Sequence, residues 1–317
     1  MGGRYSAPAI FLSRFSENGA RRGITWRRAR GRSLARAACW RQQGQTETSR
    51  EEPSMDFELK GKTAFVTGGS RGIGRAIALT LAKQGVNIAI CGRTQESLDA
   101  TAADIQALGV KAWAYQTDVS KVEELEAFAD KALAAAGGID ILVNNAVTST
   151  AAPFDEQTDE MFRYHIDVKL MAYIRLARII LPHLEQQGWG RIVNIGGMTA
   201  RITAPLRVTN GVVNAGVANF TKQLAMRAAQ GGVTINCVHP GLTVTERVMQ
   251  IFEREAKDKG ISLEDAMSDR ITEIPLGRLI KPEDMANAVL FFCSPMAAMV
   301  TGQCIAVDGG QGQSVNY

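Results

Sequence analysis

The stretch "TAFVTGGSRGIGRAIALTLAKQG" (residues 63–85) limits the fold more than any other part of the chain. A β-branched run ends in glycines, and an apolar stripe at helical spacing follows at once and closes on Gly85. This reads as a buried strand, a tight turn and an amphipathic helix. The same alternation then repeats. Strands are expected at "VNIAICGR", "VKAWAYQTDV", "IDILVNNA", "GRIVNIGG", "VTINCVHPG" and "QCIAVDGG". Helices are expected at "SLDATAADIQALG", "VEELEAFADKALAAAGG", residues 156–181 (stopped by Pro182), 210–230 and "PEDMANAVLFFCS", with a helical insert over 246–272. Strands separated by helices of this length form a parallel sheet covered on both faces. The expectation is an α/β fold, a single doubly wound Rossmann-type domain filling nearly all of residues 55–317.

Residues 1–54 differ in kind. They hold eleven Arg against four Glu, a local charge of +7, which leaves the other 263 residues at −3 of the overall +4. No basic face for nucleic acid is implied for the folded part. The segment shows no sustained apolar period and reads as disordered or as an extension foreign to the native protein. An Arg-rich transit peptide and a nucleic-acid-binding tail are the alternatives. No apolar run reaches the eighteen or so residues a membrane span needs. The five cysteines (Cys39, Cys91, Cys237, Cys293 and Cys304) are scattered without a CxxC. That pattern argues for a reducing, cytoplasmic setting and against a disulfide framework or a metal site.

The turn "TGGSRGIG" (67–74) has the context a dinucleotide site requires, strand before and helix after. Its glycines allow a close approach to a pyrophosphate, and the helix N-terminus offers free N–H groups. Gly68, Ser70, Arg71, Gly72, Ile73 and Gly74 are the candidate contacts. An NAD site places a carboxylate at the end of the second strand. Here Arg93 stands there, and Arg71 lies in the turn. Two guanidiniums can bracket a 2′-phosphate, so NADP is expected over NAD.

With these motifs on the page, the chain resembles the short-chain dehydrogenase/reductase family over residues 57–312. The resemblance rests on "TGGSRGIG", "TDV" (117–119), "ILVNNA" (141–146), "HPG" (239–241) and "PLGRLIKPEDMANAVLFFCSP…VTGQCIAVDGG". It implies that Asp118 and Val119 lie at the adenine and that Asn145 and Ala146 lie along the adenosine ribose. It also implies that Thr245 meets the nicotinamide carboxamide, that residues 246–272 form a substrate lid, and that the protein is a homotetramer or homodimer. Met249, Ile251, Phe252 and Met267 on the lid point to a hydrophobic small-molecule substrate.

The same alignment exposes departures. Val147 stands where the family has Gly. The family's catalytic Ser, Tyr, Lys and Asn fall on Gly197, Asn210, Asn214 and Lys169. An amide cannot deliver a proton near neutral pH, although it can donate a hydrogen bond to an oxyanion. The Lys and Asn positions read as exchanged, so Lys169 is expected to return an ammonium to the site, with Asn210 and Asn214 completing the catalytic set. His165, at i−4 from Lys169, is a candidate proton relay, and Thr199 and Thr209 are candidate carbonyl ligands. Three functions follow. The first is an NADP(H)-dependent oxidoreductase on a carbonyl or alcohol with a rearranged active site. The second is a catalytically inactive cofactor-binding protein. The third is a non-redox isomerase or lyase using Lys169.

Overall fold

The computed structural model describes residues 56–313, and the expectations for residues 1–54 lie outside them. Seven strands form one parallel sheet. They are β1 (Thr63–Thr67), β2 (Asn87–Gly92), β3 (Ala112–Gln116), β4 (Ile141–Asn144), β5 (Gly190–Ile195), β6 (Val233–Pro240) and β7 (Cys304–Val307). Their order is β3-β2-β1-β4-β5-β6-β7, with the direction of travel reversing between β1 and β4. In such sheets ligands bind beyond the carboxyl ends of the strands, at that reversal.

Alternate residues of each strand enter different cores. Ala64, Val66, Ile88, Ile90, Ile141 and Val143 pack on one face with α1 (Gly72–Lys83), α2 (Gln95–Gln106) and α9 (Pro282–Cys293). Phe65, Ala89, Leu142, Ile192 and Ile235 pack on the other with α3 (Val122–Ala136), α5 (Ala172–Gln186) and α6 (Val208–Ala228). Burial on both faces explains why the strands read as continuous apolar runs. Each fully buried Leu, Ile or Phe contributes roughly 1.5–3 kcal/mol.

The helix expected over 156–181 is corrected in two ways. It is three pieces, α4 (Asp159–His165), a π turn (Ile166–Met171) and α5. Nor does Pro182 end it, because α5 continues to Gln186. Pro182 and Arg178, one turn before it, are both exposed, so the helix tolerates the missing N–H on its solvent face, while Ile180, Leu181 and Leu184 anchor the turn around it. Helix α6 starts at Val208, slightly earlier than the pattern indicated. The insert is a pair of helices, α7 (Glu246–Lys259) and α8 (Leu263–Thr272). Val147 keeps a negative φ, since Glu58 alone among the described non-glycine residues has a positive one.

Candidate active site

The glycine turn is held by its neighbours. Gly68 and Gly72 have φ of +65° and +54°, which side-chain-bearing residues rarely adopt. A Cβ at Gly74 would collide with the Gly68 carbonyl, so the turn closes this tightly only with glycine. The Asn145 side chain donates to the carbonyls of Thr67 (2.9 Å) and Gly68 (3.2 Å). The backbone N–H groups of Asn145 and Ala146 donate to Thr67 Oγ1 at 2.9 and 3.0 Å. These bonds tie the end of β4 to the turn across the point where the sheet reverses. No side chain caps the N-terminus of α1, so its first N–H groups are free to meet an anion.

A cleft opens here. Gly68, Ser70, Arg71, Gly72, Ile73, Gly74, Arg93, Asp118, Val119, Asn145, Ala146 and Thr245 all line it, the full set of residues singled out above for the cofactor. Arg71 and Arg93 are exposed, and neither has a carboxylate partner among the described residues. Asp118 and Glu246 are the acidic groups on the cleft wall. The glycine cradle, the uncapped helix end and the unpaired guanidiniums together fit a phosphorylated dinucleotide.

Sequence reasoning missed Arg207 and Arg247. Arg247 lines the cleft from the first turn of α7. Its guanidinium donates to Ser149 O at 2.5 Å, and that of Arg207 donates to Ser149 Oγ at 2.8 Å. Burial and then the nearby Arg207, Arg71 and Arg93 hold Arg247 below its usual value. The only available sequence signal was position: Arg247 is two residues after Thr245, and Arg207 is three before Asn210.

The residues expected at the reaction centre sit deeper and do not line the cleft. Lys169 is 4% exposed and lies in the π turn, a feature common at functional sites. Its Nζ donates to Gly196 O at 2.8 Å. Burial lowers its pKa to about 8, partly offset by Cys237. Asn210 and Asn214 are 8% and 6% exposed. Asn210 Nδ2 reaches Thr148 O only at 3.4 Å, a weak bond, and Asn214 Nδ2 donates to Thr199 Oγ1 at 2.8 Å. Both amide oxygens lack a partner although buried. A Cβ on Gly197 would come within 2.9 Å of the Asn214 amide carbon, so a side chain at 197 would have to displace the Asn214 amide.

Three expectations are corrected. His165 does not bond Lys169; its Nε2 pairs with Thr150 Oγ1 at 2.9 Å, and burial with nearby Arg247 lowers its pKa. Thr209 is fully buried and stands away from the cleft, while the half-buried Thr199 hydroxyl accepts from Asn214 and keeps its own O–H free. The lid's apolar residues mostly face inward: Phe252 is 2% exposed and Met249 and Met267 pack on the core, which leaves Ile251 outside. The scattered cysteines also need revision, because Cys237 and Cys304 meet beside His239.

The fold and this cleft define a dinucleotide-binding Rossmann domain. The profile of a family described as "Enoyl-(Acyl carrier protein) reductase" matches residues 68–311. D-beta-hydroxybutyrate dehydrogenase of Cupriavidus necator is 34% identical over 255 residues, 80% of this chain and 98% of the relative. L-sorbose reductase from Gluconobacter frateurii, solved with NADPH and L-sorbose, superposes with a TM-score of 0.80 at 31% identity, covering 82% of this chain and all of that one. A 7 alpha-hydroxysteroid dehydrogenase solved with NADH and 7-oxo glycochenodeoxycholic acid gives 0.74 at 30% identity, covering 82% and 98%. The chain belongs to the short-chain dehydrogenase/reductase family, a family of NAD(P)-dependent oxidoreductases.

Proposed function

We propose that the protein is an NADP(H)-dependent oxidoreductase that reduces a carbonyl, or oxidises the matching alcohol, in a rearranged active site. The observation that carries this reading is the cleft at the sheet reversal, with Arg71 and Arg93 unpaired on its wall. Two guanidiniums there support recognition of a ribose 2′-phosphate, and the uncapped N-terminus of α1 supports binding of the pyrophosphate. When bound, the cofactor supplies the hydride chemistry.

The remaining work falls to side chains that do not include a phenol. Asn210 keeps an N–H donor on a long, weak bond, free to turn toward a developing oxyanion; such a donor is worth about 3 kcal/mol. The unpartnered Asn214 oxygen is an acceptor suited to a ribose hydroxyl. This reading takes Lys169 as the proton source: its ammonium is held behind the Gly196–Gly197 turn, with burial bringing its pKa down to about 8.

Arg207 and Arg247 extend the reading to the substrate. Each guanidinium spends one N–H on Ser149 and retains other donors. A substrate bearing a carboxylate or phosphate near its carbonyl fits them better than a wholly apolar one.

One observation favours a second reading, cofactor binding without turnover: Lys169 is enclosed and absent from the cleft wall. The same enclosure weighs against Lys169 as a Schiff-base amine in an isomerase or lyase. A fluorescence titration with NADPH and NADH in parallel tests the first part. NADPH-selective binding is expected, and failure to bind either would end the oxidoreductase reading. NADPH consumption with a panel of oxo acids and their methyl esters tests the rest. Faster turnover of the acids, lost in Arg207→Ala and Arg247→Ala, is expected.

A further inference from the structure

Strands β6 and β7 set Cys237 directly opposite Cys304. His239, two residues along β6, points to the same face as Cys237. The two sulfurs and a ring nitrogen of His239 lie within 4.8 Å of one another. Such a trio is either a soft-metal site or a reactive thiol pair.

The histidine decides between them. The Gly197 backbone N–H donates to His239 Nδ1 at 2.9 Å. A backbone amide can only donate, so Nδ1 carries the lone pair and the proton of the neutral ring sits on Nε2. Nε2 is the nitrogen that faces Cys237 Sγ, at 3.9 Å. A metal at Nε2 would need a lone pair on that nitrogen, which moves the ring proton to Nδ1 and breaks the bond from Gly197. A protonated Nε2 is instead a donor toward the thiol pair, a polar neighbour that favours thiolate character within it.

We propose that Cys237 and Cys304 form a redox-active dithiol oxidised by hydroperoxides, with Cys304 the attacking thiolate and Cys237 the resolving thiol. The two sulfurs differ in the required sense. Cys304 is partly exposed at the edge of the sheet, whereas Cys237 is fully buried. Hydrogen bonding from the Cys237 thiol, and then from His239, pulls Cys304 well below an ordinary thiol, and Cys237 is pushed up.

In the first step the Cys304 sulfur attacks the terminal oxygen of the hydroperoxide. The S–O bond forms and the O–O bond breaks, giving a sulfenic acid, and the departing alkoxide (or hydroxide) takes up the proton that the Cys304 thiol released on ionising. In the second step the Cys237 sulfur attacks that sulfur and water departs. Two electrons pass from the thiol pair to the peroxide. Neighbouring parallel strands run about 4.8 Å apart, inside the 4.4–6.8 Å Cα separation that a disulfide spans.

The pair also touches the reaction centre. A Cβ on Gly196 would fall 2.9 Å from Cys237 Sγ, so the turn carrying Lys169's acceptor and Gly197 rests directly on this cluster. Drawing the Cys237 sulfur toward β7 removes its contact with His239 and with that turn.

The test uses the full chain, treated with a few equivalents of hydrogen peroxide and then alkylated under denaturing conditions for peptide mapping. Cys91 and Cys293, both buried, serve as internal controls. A Cys237–Cys304 disulfide is expected, with two thiols lost per chain and recovered with dithiothreitol. In Cys237→Ser, dimedone is expected to label Cys304. The proposal is overturned if both residues alkylate as fully as Cys91 and Cys293 after peroxide. It is also overturned if the isolated protein carries one zinc per chain that Cys237→Ser loses. The wild-type map stands on its own should a variant fail to fold.

Discussion

Replacing Lys169 with Met gives a quantitative test of the buried amine. The side chain is enclosed, and burial holds its pKa at about 8 against an ordinary 10.5. Between those two values the unfolded chain binds a proton that the folded chain has released. Stability therefore rises with pH across that window and is flat, as far as this group is concerned, below about 8. At about 1.4 kcal/mol per pH unit, the depression amounts to about 3 kcal/mol when the window is fully crossed. Met has nearly the same length and no titration, so the variant lacks this rise. The assay is urea denaturation of both proteins from pH 7 to pH 10.5. Subtracting the variant's stability from the wild type's removes the other groups that titrate in this range. The difference is expected to be constant up to about pH 7.5 and then to shift by about 3 kcal/mol toward the wild type by pH 10.5. Parallel curves would refute the reasoning, because they would mean that Lys169 titrates alike in both states and is not held in a desolvated site.

Arg93→Ala is expected to weaken NADPH binding roughly 30-fold, the equivalent of about 2 kcal/mol for a charge-assisted bond, with NADH affinity unchanged in the same titration. Gly197→Ser is expected to cost about 1–3 kcal/mol in a denaturant melt, since its Cβ would press on Asn214; Asn214→Ala in the same chain should recover most of that loss. Val212 and Met226 of α6 are 52% and 73% exposed, which supports self-association through α5 and α6; light scattering at micromolar concentration should report a dimer or tetramer, and Met226→Glu should reduce it.

The doubly wound sheet and the cleft at its reversal were legible because they rest on local signals. A glycine turn between a strand and a helix carries its own physics, and Arg93 marks the end of the second strand whatever surrounds it. What the chain hid depends on residues distant in sequence. Cys237 and Cys304 look scattered until parallel pairing sets them opposite one another. The close approach of Gly197 and Asn214 is likewise a contact between a loop and a helix, which no periodicity encodes. Pro182 misled because its effect depends on which face of the helix it occupies. The π turn around Lys169 carries no sequence signal of its own, since its residues fit an ordinary helix equally well. Lid methionines read as a substrate surface only until the core beneath them is seen.

The most direct test of the central claim follows the hydride itself. NADPH carrying deuterium at C4 is incubated with the protein and a panel comprising an oxo acid, a ketose and an oxo-steroid acid, and the products are examined by mass spectrometry. Deuterium on the carbinol carbon of at least one product, much reduced in Lys169→Gln, is the predicted result. NADPH that binds selectively yet delivers no deuterium to any product would contradict the account and leave a cofactor-binding protein without turnover.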